Sequence, residues 1–154
     1  MDDVHIDIEA PAEAIYDLVA DITNMGRWSP ETYRAEWVDG ATAPVVGARF
    51  KGWNKQKILG LPAKWSTTSV IRQADRGRAF SFDTPLSGAR WTYRFEPTDT
   101  GCRVTESREL VRVPMASRFM DLFIGSTRDR QVTEGMEETL NRLKEAAELE
   151  ASAL

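Results

Sequence analysis

Along the last third of the chain, from Pro114 to about Glu148, large apolar residues recur at Leu122, Val132, Met136, Leu140 and Leu143, close to the spacing of one helical face. Pro114 can precede a helix but not sit inside one, so the pattern predicts one long helix after it, lying on a sheet. Between Leu122 and Met136 the same periodicity turns Gly125, Ser126, Asp129 and Thr133 toward that sheet. These side chains are small or polar and cannot fill a core, so the helix is expected to leave a space beneath its middle. Just before them, Phe119, Met120, Leu122, Phe123 and Ile124 spread over roughly 200° of arc, more than a simple surface helix uses. Met115–Ile124 reads as a bent or separate turn closing one end of the space, as a partner-contact patch, or as ordinary core packing.

The rest of the chain has a different period. Val4, Ile6 and Ile8 alternate with His5, Asp7 and Glu9, as in a strand with one buried face, which turns the single histidine outward. Pro11 suits the start of a helix carrying Ile15, Leu18, Val19 and Ile22. Thr23 or Asn24 can cap a further turn with Met25 and Trp28 that stops at Pro30. Asp21 is either a cap or a site carboxylate. Strands are predicted at Tyr33–Val38, Ala48–Lys57, Ala63–Gln73, Arg78–Asp83, Ala89–Glu96 and Cys102–Val113, divided by Gly, Pro and Asp turn signals. Such short connections favour an antiparallel meander. The tail from Ala147 to Leu154 reads as frayed helix.

Alternation also sorts the strand faces. Phe80 and Phe82 share one, as do Trp91, Tyr93 and Phe95; Phe50, Gly52 and Asn54 oppose a charged set; Trp65, Thr67, Ser69 and Ile71 form the next inner set; and Val104, Glu106, Arg108 and Leu110 the last. The interior is thus expected to hold Asn54, Glu106, Arg108, Asp129 and Thr133. Buried charges must be paired or hydrogen-bonded, so Arg108 is expected either to bridge Glu106 and Asp129 or to bind an anionic or carbonyl ligand group.

Composition narrows the classes. At 154 residues, with 42% apolar and 29% charged, the chain is expected to form one domain, residues 1–154, with a real core. Its 20 Lys and Arg against 24 Asp and Glu lack the charge footprint of a nucleic-acid binder, and a basic run from Lys51 to Lys64 is too sparse to change that. No signal sequence or membrane-spanning run is seen, so a cytoplasmic protein without stable membrane insertion is expected. One Cys and one His exclude an internal disulfide and argue against a zinc site. No metal or cofactor is predicted.

The order of elements, with "DITNMGRWSPE" (Asp21 to Glu31), "GARFKGWNK" (Gly47 to Lys55), "WSTTS" (Trp65 to Ser69), "YRFEP" (Tyr93 to Pro97), "GCRVTESRE" (Gly101 to Glu109) and "GMEETLNRLKEAAE" (Gly135 to Glu148), resembles the START-like, or helix-grip, superfamily. The resemblance covers essentially the whole chain and is closest to the bacterial polyketide cyclase/dehydrase and lipid-transport branch. It implies an α+β fold: a curved antiparallel sheet of about seven strands wrapped round a long C-terminal helix, with two short helices after the first strand and a cavity for a small hydrophobic molecule. The expected apolar wall is Trp28, Phe50, Trp65, Phe82, Trp91, Tyr93, Phe119 and Phe123, with Asn54, Glu106, Arg108 and Asp129 as polar contacts. Three functions follow: a carrier of a lipid-like or aromatic molecule; a cyclase or dehydratase with Glu106 as base and Tyr93 or Arg108 polarising a carbonyl; or an interaction module forming a homodimer through Met115–Ile124.

Overall fold

A computed structural model describes the backbone of residues 2–112 and 115–154, and the side chains of 2–112 and 129–154. The elements run β1 (Asp2–Ile8), α1 (Ala12–Ala20), a short 3-10 helix (Ile22–Arg27), β2 (Thr32–Val38), β3 (Arg49–Ile58), β4 (Leu61–Asp75), β5 (Ala79–Thr84), β6 (Ala89–Pro97), β7 (Cys102–Leu110) and α2 (Met115–Ser152). The strands form one antiparallel sheet in the order β1-β7-β6-β5-β4-β3-β2. Five hairpins build β2 to β7, and α1 with the 3-10 helix carries the chain from one sheet edge, β1, to the other, β2. This is the expected helix-grip arrangement.

Local chemistry explains the junctions. Asp21 is a cap: its Oδ1 accepts from the Thr23 backbone N–H at 3.1 Å and from the Thr23 hydroxyl at 2.6 Å. Thr23 and Asn24, expected as caps, are not; Asn24 instead donates to the Leu18 carbonyl. A Cβ on Gly26 would stand 2.4 Å from the Tyr33 carbonyl oxygen, so a glycine is needed where the 3-10 helix crosses β2. β4 begins earlier than predicted and takes in Pro62, opposite Lys57. It is tolerated because β5 pairs with β4 only from Val70 onward, leaving the other edge of β4 free at Pro62.

The core lies between α1, the C-terminal half of α2 and one end of the sheet. Ile8, Ile15, Phe80, Ile71, Val104, Cys102, Leu140 and Leu143 are buried there, and Tyr16 meets Phe80 and Phe95 edge-on at 6.2 and 5.7 Å. Met136, Leu140, Leu143 and Ala147 form the inward stripe of α2. Helix α2 continues to Ser152, held by Glu148 accepting from the Glu9 backbone N–H and by Lys144 donating to the Asp7 carbonyl.

Candidate functional site

Strand register converts the alternation into a surface. Tyr93 pairs with Glu106, Trp91 with Arg108, Phe82 with Trp91, Asn54 with Trp65, and Asp2 with Arg108. Their side chains share the inner face of the sheet, where Phe82 and Tyr93 continue the hydrophobic cluster of the core described above and Trp91 packs against it. Phe50 and Phe82 are buried and meet edge-on at 5.1 Å, and Trp37 closes on Phe50 at 6.3 Å. Trp65 and Trp91 are half-buried. Trp28 is buried in the main core cluster under the Arg27 guanidinium.

At the middle of this face, the Tyr93 hydroxyl donates to Glu106 Oε1 at 2.8 Å. Glu106 is 3% exposed and its second oxygen, Oε2, is buried with no hydrogen-bond partner among the described residues. Burial pushes the Glu106 carboxyl up to about 8, the Tyr93 hydrogen bond pulling the other way. Burial, and then the neighbouring Glu106, raise the Tyr93 hydroxyl well above its ordinary value. At neutral pH the pair is a carboxylic acid and a phenol. With Oε1 taken by Tyr93, a carboxyl proton on Oε2 is a donor left unused by the described residues, in an aromatic surround.

Other polar groups on this face satisfy one another. Asn54 accepts from the Thr32 hydroxyl at 2.6 Å and donates to Thr67 at 3.3 Å, so it is largely committed within the sheet. Ser69 and Thr84 hydroxyls lie 2.9 Å apart.

The expected Arg108 bridge to Glu106 and Asp129 is not formed. Arg108 is buried and pairs at 3.3 Å with Asp2, its cross-strand partner. Asp129 is exposed and Thr133 half-buried, its hydroxyl turned back to the Asp129 carbonyl. Phe119, Phe123, Gly125, Ser126 and the Met115–Ile124 patch lie outside the described side chains. Asp2 and Thr32 were missed by sequence reasoning; Asp2 was reachable, being in step with Val4, Ile6 and Ile8.

His5 is exposed, as its alternation required. Among the described residues no cluster of three or more His, Cys, Asp or Glu is able to hold a metal, and no helix is long and apolar enough to cross a membrane. A cleft of about 410 Å³ between Glu13, Arg76, Gly77 and Phe95 is not lined by Tyr93, Glu106 or Arg108. Arg76 there is already paired with Asp17 and Glu13.

The model of a family described as polyketide cyclase / dehydrase and lipid transport matches residues 3–148. Among solved structures, the chain is 32% identical to a polyketide-cyclase-like protein of Corynebacterium glutamicum, covering 97% of this chain and 91% of that one at a TM-score of 0.65. The di-domain ARO/CYC protein StfQ of the steffimycin biosynthetic pathway is 16% identical, with 98% and 51% coverage and a TM-score of 0.76, so this chain spans about half of it. An AHSA1-like protein of Aeromonas hydrophila is 19% identical over 94% and 92%, at 0.60. These last two show the fold alone. No curated protein matches.

Proposed function

The chain belongs to the polyketide cyclase/dehydrase and lipid-transport family, and on that premise we propose that it binds a small, mainly hydrophobic molecule on the inner face of the sheet, under α2. The observation that carries this reading is Glu106. A buried carboxyl oxygen without a partner costs about 1–3 kcal/mol. That cost is offset when a ligand carbonyl or hydroxyl oxygen accepts from it, and the surrounding Phe82, Trp91 and Tyr93 offer apolar contact to the rest of such a molecule. The ligand class is therefore a neutral lipid-like or aromatic ketone, such as a polyketide, rather than an anion at this depth.

Native mass spectrometry of freshly purified protein, followed by organic extraction and a screen of fatty acids and aromatic polyketides, tests the reading. A bound mass retained by Glu106→Gln, which keeps a donor, and lost by Glu106→Leu is the expected outcome. An apo mass with no binding across the screen refutes it.

The same pair supports a second reading, a cyclase or dehydratase. A carboxyl lifted to about 8 gives or takes a proton near neutral pH, and Tyr93 orients it. Binding without conversion of any polyketide by the wild type counts against catalysis; conversion abolished by Glu106→Gln, with binding kept, counts for it.

A further inference from the structure

The hairpin joining β3 to β4 serves nothing described so far. β2 pairs with β3 only as far as Asn54, and β5 pairs with β4 only from Val70, so beyond these points the hairpin projects from the sheet. Its tip is aliphatic: Ile58 is 43%, Leu59 88% and Leu61 71% exposed.

The turn itself is anomalous. Leu59 at φ 52 and Gly60 at φ 79 are both left-handed, the geometry of a two-residue hairpin turn that favours Asn or Asp first and Gly second. The chain follows that rule at its other such pair, Asp39 at φ 55 and Gly40 at φ 77. At the tip it instead holds a large apolar residue in a backbone conformation that disfavours one, where the side chain faces water. Nothing inside the protein is gained by that choice.

Charge segregates to the same element. No Asp or Glu occurs between Asp39 and Asp75, while that span carries six of the chain's 20 basic residues; the remainder holds fourteen against 24 acidic ones. Lys55 and Lys64 lie over the Tyr33 ring at 5.6 and 5.8 Å, and Lys57 is exposed beside the tip. Among the described residues the only lysine paired with a carboxylate is Lys144.

We propose that this hairpin docks the protein on an anionic lipid bilayer, with Ile58, Leu59 and Leu61 entering the boundary between headgroups and acyl chains and Lys55, Lys57 and Lys64 meeting the headgroup charge. A narrow, convex aliphatic tip offers little area to a protein interface but enters a fluid surface readily. Apolar burial combined with a polybasic collar is the pairing that peripheral attachment requires. The acidic remainder of the chain is repelled by the same surface, which orients the hairpin toward it. The inference stands whether or not the interior holds a ligand.

Sedimentation of the full chain with phosphatidylcholine vesicles, with and without phosphatidylglycerol, tests it. Binding is expected only to the anionic vesicles and falls with added salt. Leu59→Asn should lower the partition coefficient about tenfold, since most of a buried leucine's transfer energy is lost, with an unchanged or higher Tm because asparagine suits the turn. Each of Lys55→Gln, Lys57→Gln and Lys64→Gln should lower it about fivefold. Absence of binding at low ionic strength overturns the proposal. So does binding that survives Leu59→Asn undiminished and is matched on heparin, which marks a general polyanion patch.

Discussion

The two ends of the sheet's inner face differ in a consistent way. At one end Ile8, Ile71, Phe80, Phe95 and Val104 are buried against α1 and the stripe Leu140 and Leu143. Moving along each of the same strands toward the other end, Ile8 gives way to Asp2, Val104 to Glu106 and Arg108, Phe80 to Thr84, Ile71 to Ser69 and Phe50 to Asn54. Helix α2 changes in parallel, from buried Leu143 and Met136 to exposed Asp129. One end of the sheet therefore supplies the stability that lets the other hold polar groups whose burial is costly.

Breaking the apolar end has the largest expected effect. Phe80 is fully buried and touches Tyr16 and Phe82, so Phe80→Ala should lower the unfolding free energy by about 3–5 kcal/mol, measured by urea denaturation. Ligand affinity of the protein that remains folded should hardly change. If affinity falls in proportion, the two ends are not separable.

The polar end carries a pH signature. Glu106 is protonated when folded up to about pH 8 but loses its proton near its ordinary value when unfolded. Its contribution to stability is therefore full below about pH 4.5 and declines as pH rises toward 8, at up to about 1.4 kcal/mol per pH unit. Asp7, Asp17 and Asp83 are held low by their arginine partners and act in the opposite window, losing their contribution only as pH falls below the usual carboxylate range. Urea denaturation at pH 5 and pH 8 should show the decline in the wild type and a flatter profile in Glu106→Gln. An equal slope in both proteins means that Glu106 is ionised in the fold.

Arg108 tests recognition rather than folding. Arg108→Leu should weaken binding of a ligand identified by extraction by about 1.5–3 kcal/mol, read by calorimetry, while the fold persists because Asp2 is at the sheet edge and part-exposed. Loss of folding instead assigns the Arg108–Asp2 pair a structural role.

Much of this division was legible in the sequence, for a physical reason. A period of two is strict, so one apolar anchor fixes every second side chain of a strand; Phe50 placed Asn54, and Val104 placed Glu106 and Arg108. Helical phase is weaker evidence. Seven residues keep Asp129 on the side of Met136, yet Asp129 is exposed, because periodicity gives direction and not what covers that direction. The Arg108 pairing was missed because it depends on which strands are neighbours, β1 and β7, a choice made by topology across more than a hundred residues. Nor does the sequence show that Glu106 is neutral, since that follows from burial by the assembled fold.

The smallest expected effect probes how far along the sheet a ligand reaches. Gly52 lies on the inner face between Phe50 and Asn54, and a Cβ there would meet Thr32 Cγ2 at 3.4 Å, Thr67 Oγ1 at 3.8 Å and Asn54 Oδ1 at 3.9 Å, all ordinary contacts. Gly52→Ala should thus fit without displacing backbone, and removing a flexible glycine from a strand should raise stability by about 0.5 kcal/mol. The added methyl nevertheless takes space beside the Asn54–Thr67 hydrogen bond. If the ligand reaches β3, affinity should fall several-fold while Tm holds or rises, a combination that loosened packing cannot produce. Unchanged affinity confines the ligand to the β5–β7 side, around Phe82, Trp91, Tyr93 and Glu106, and leaves Gly52 as a residue that only shapes the strand.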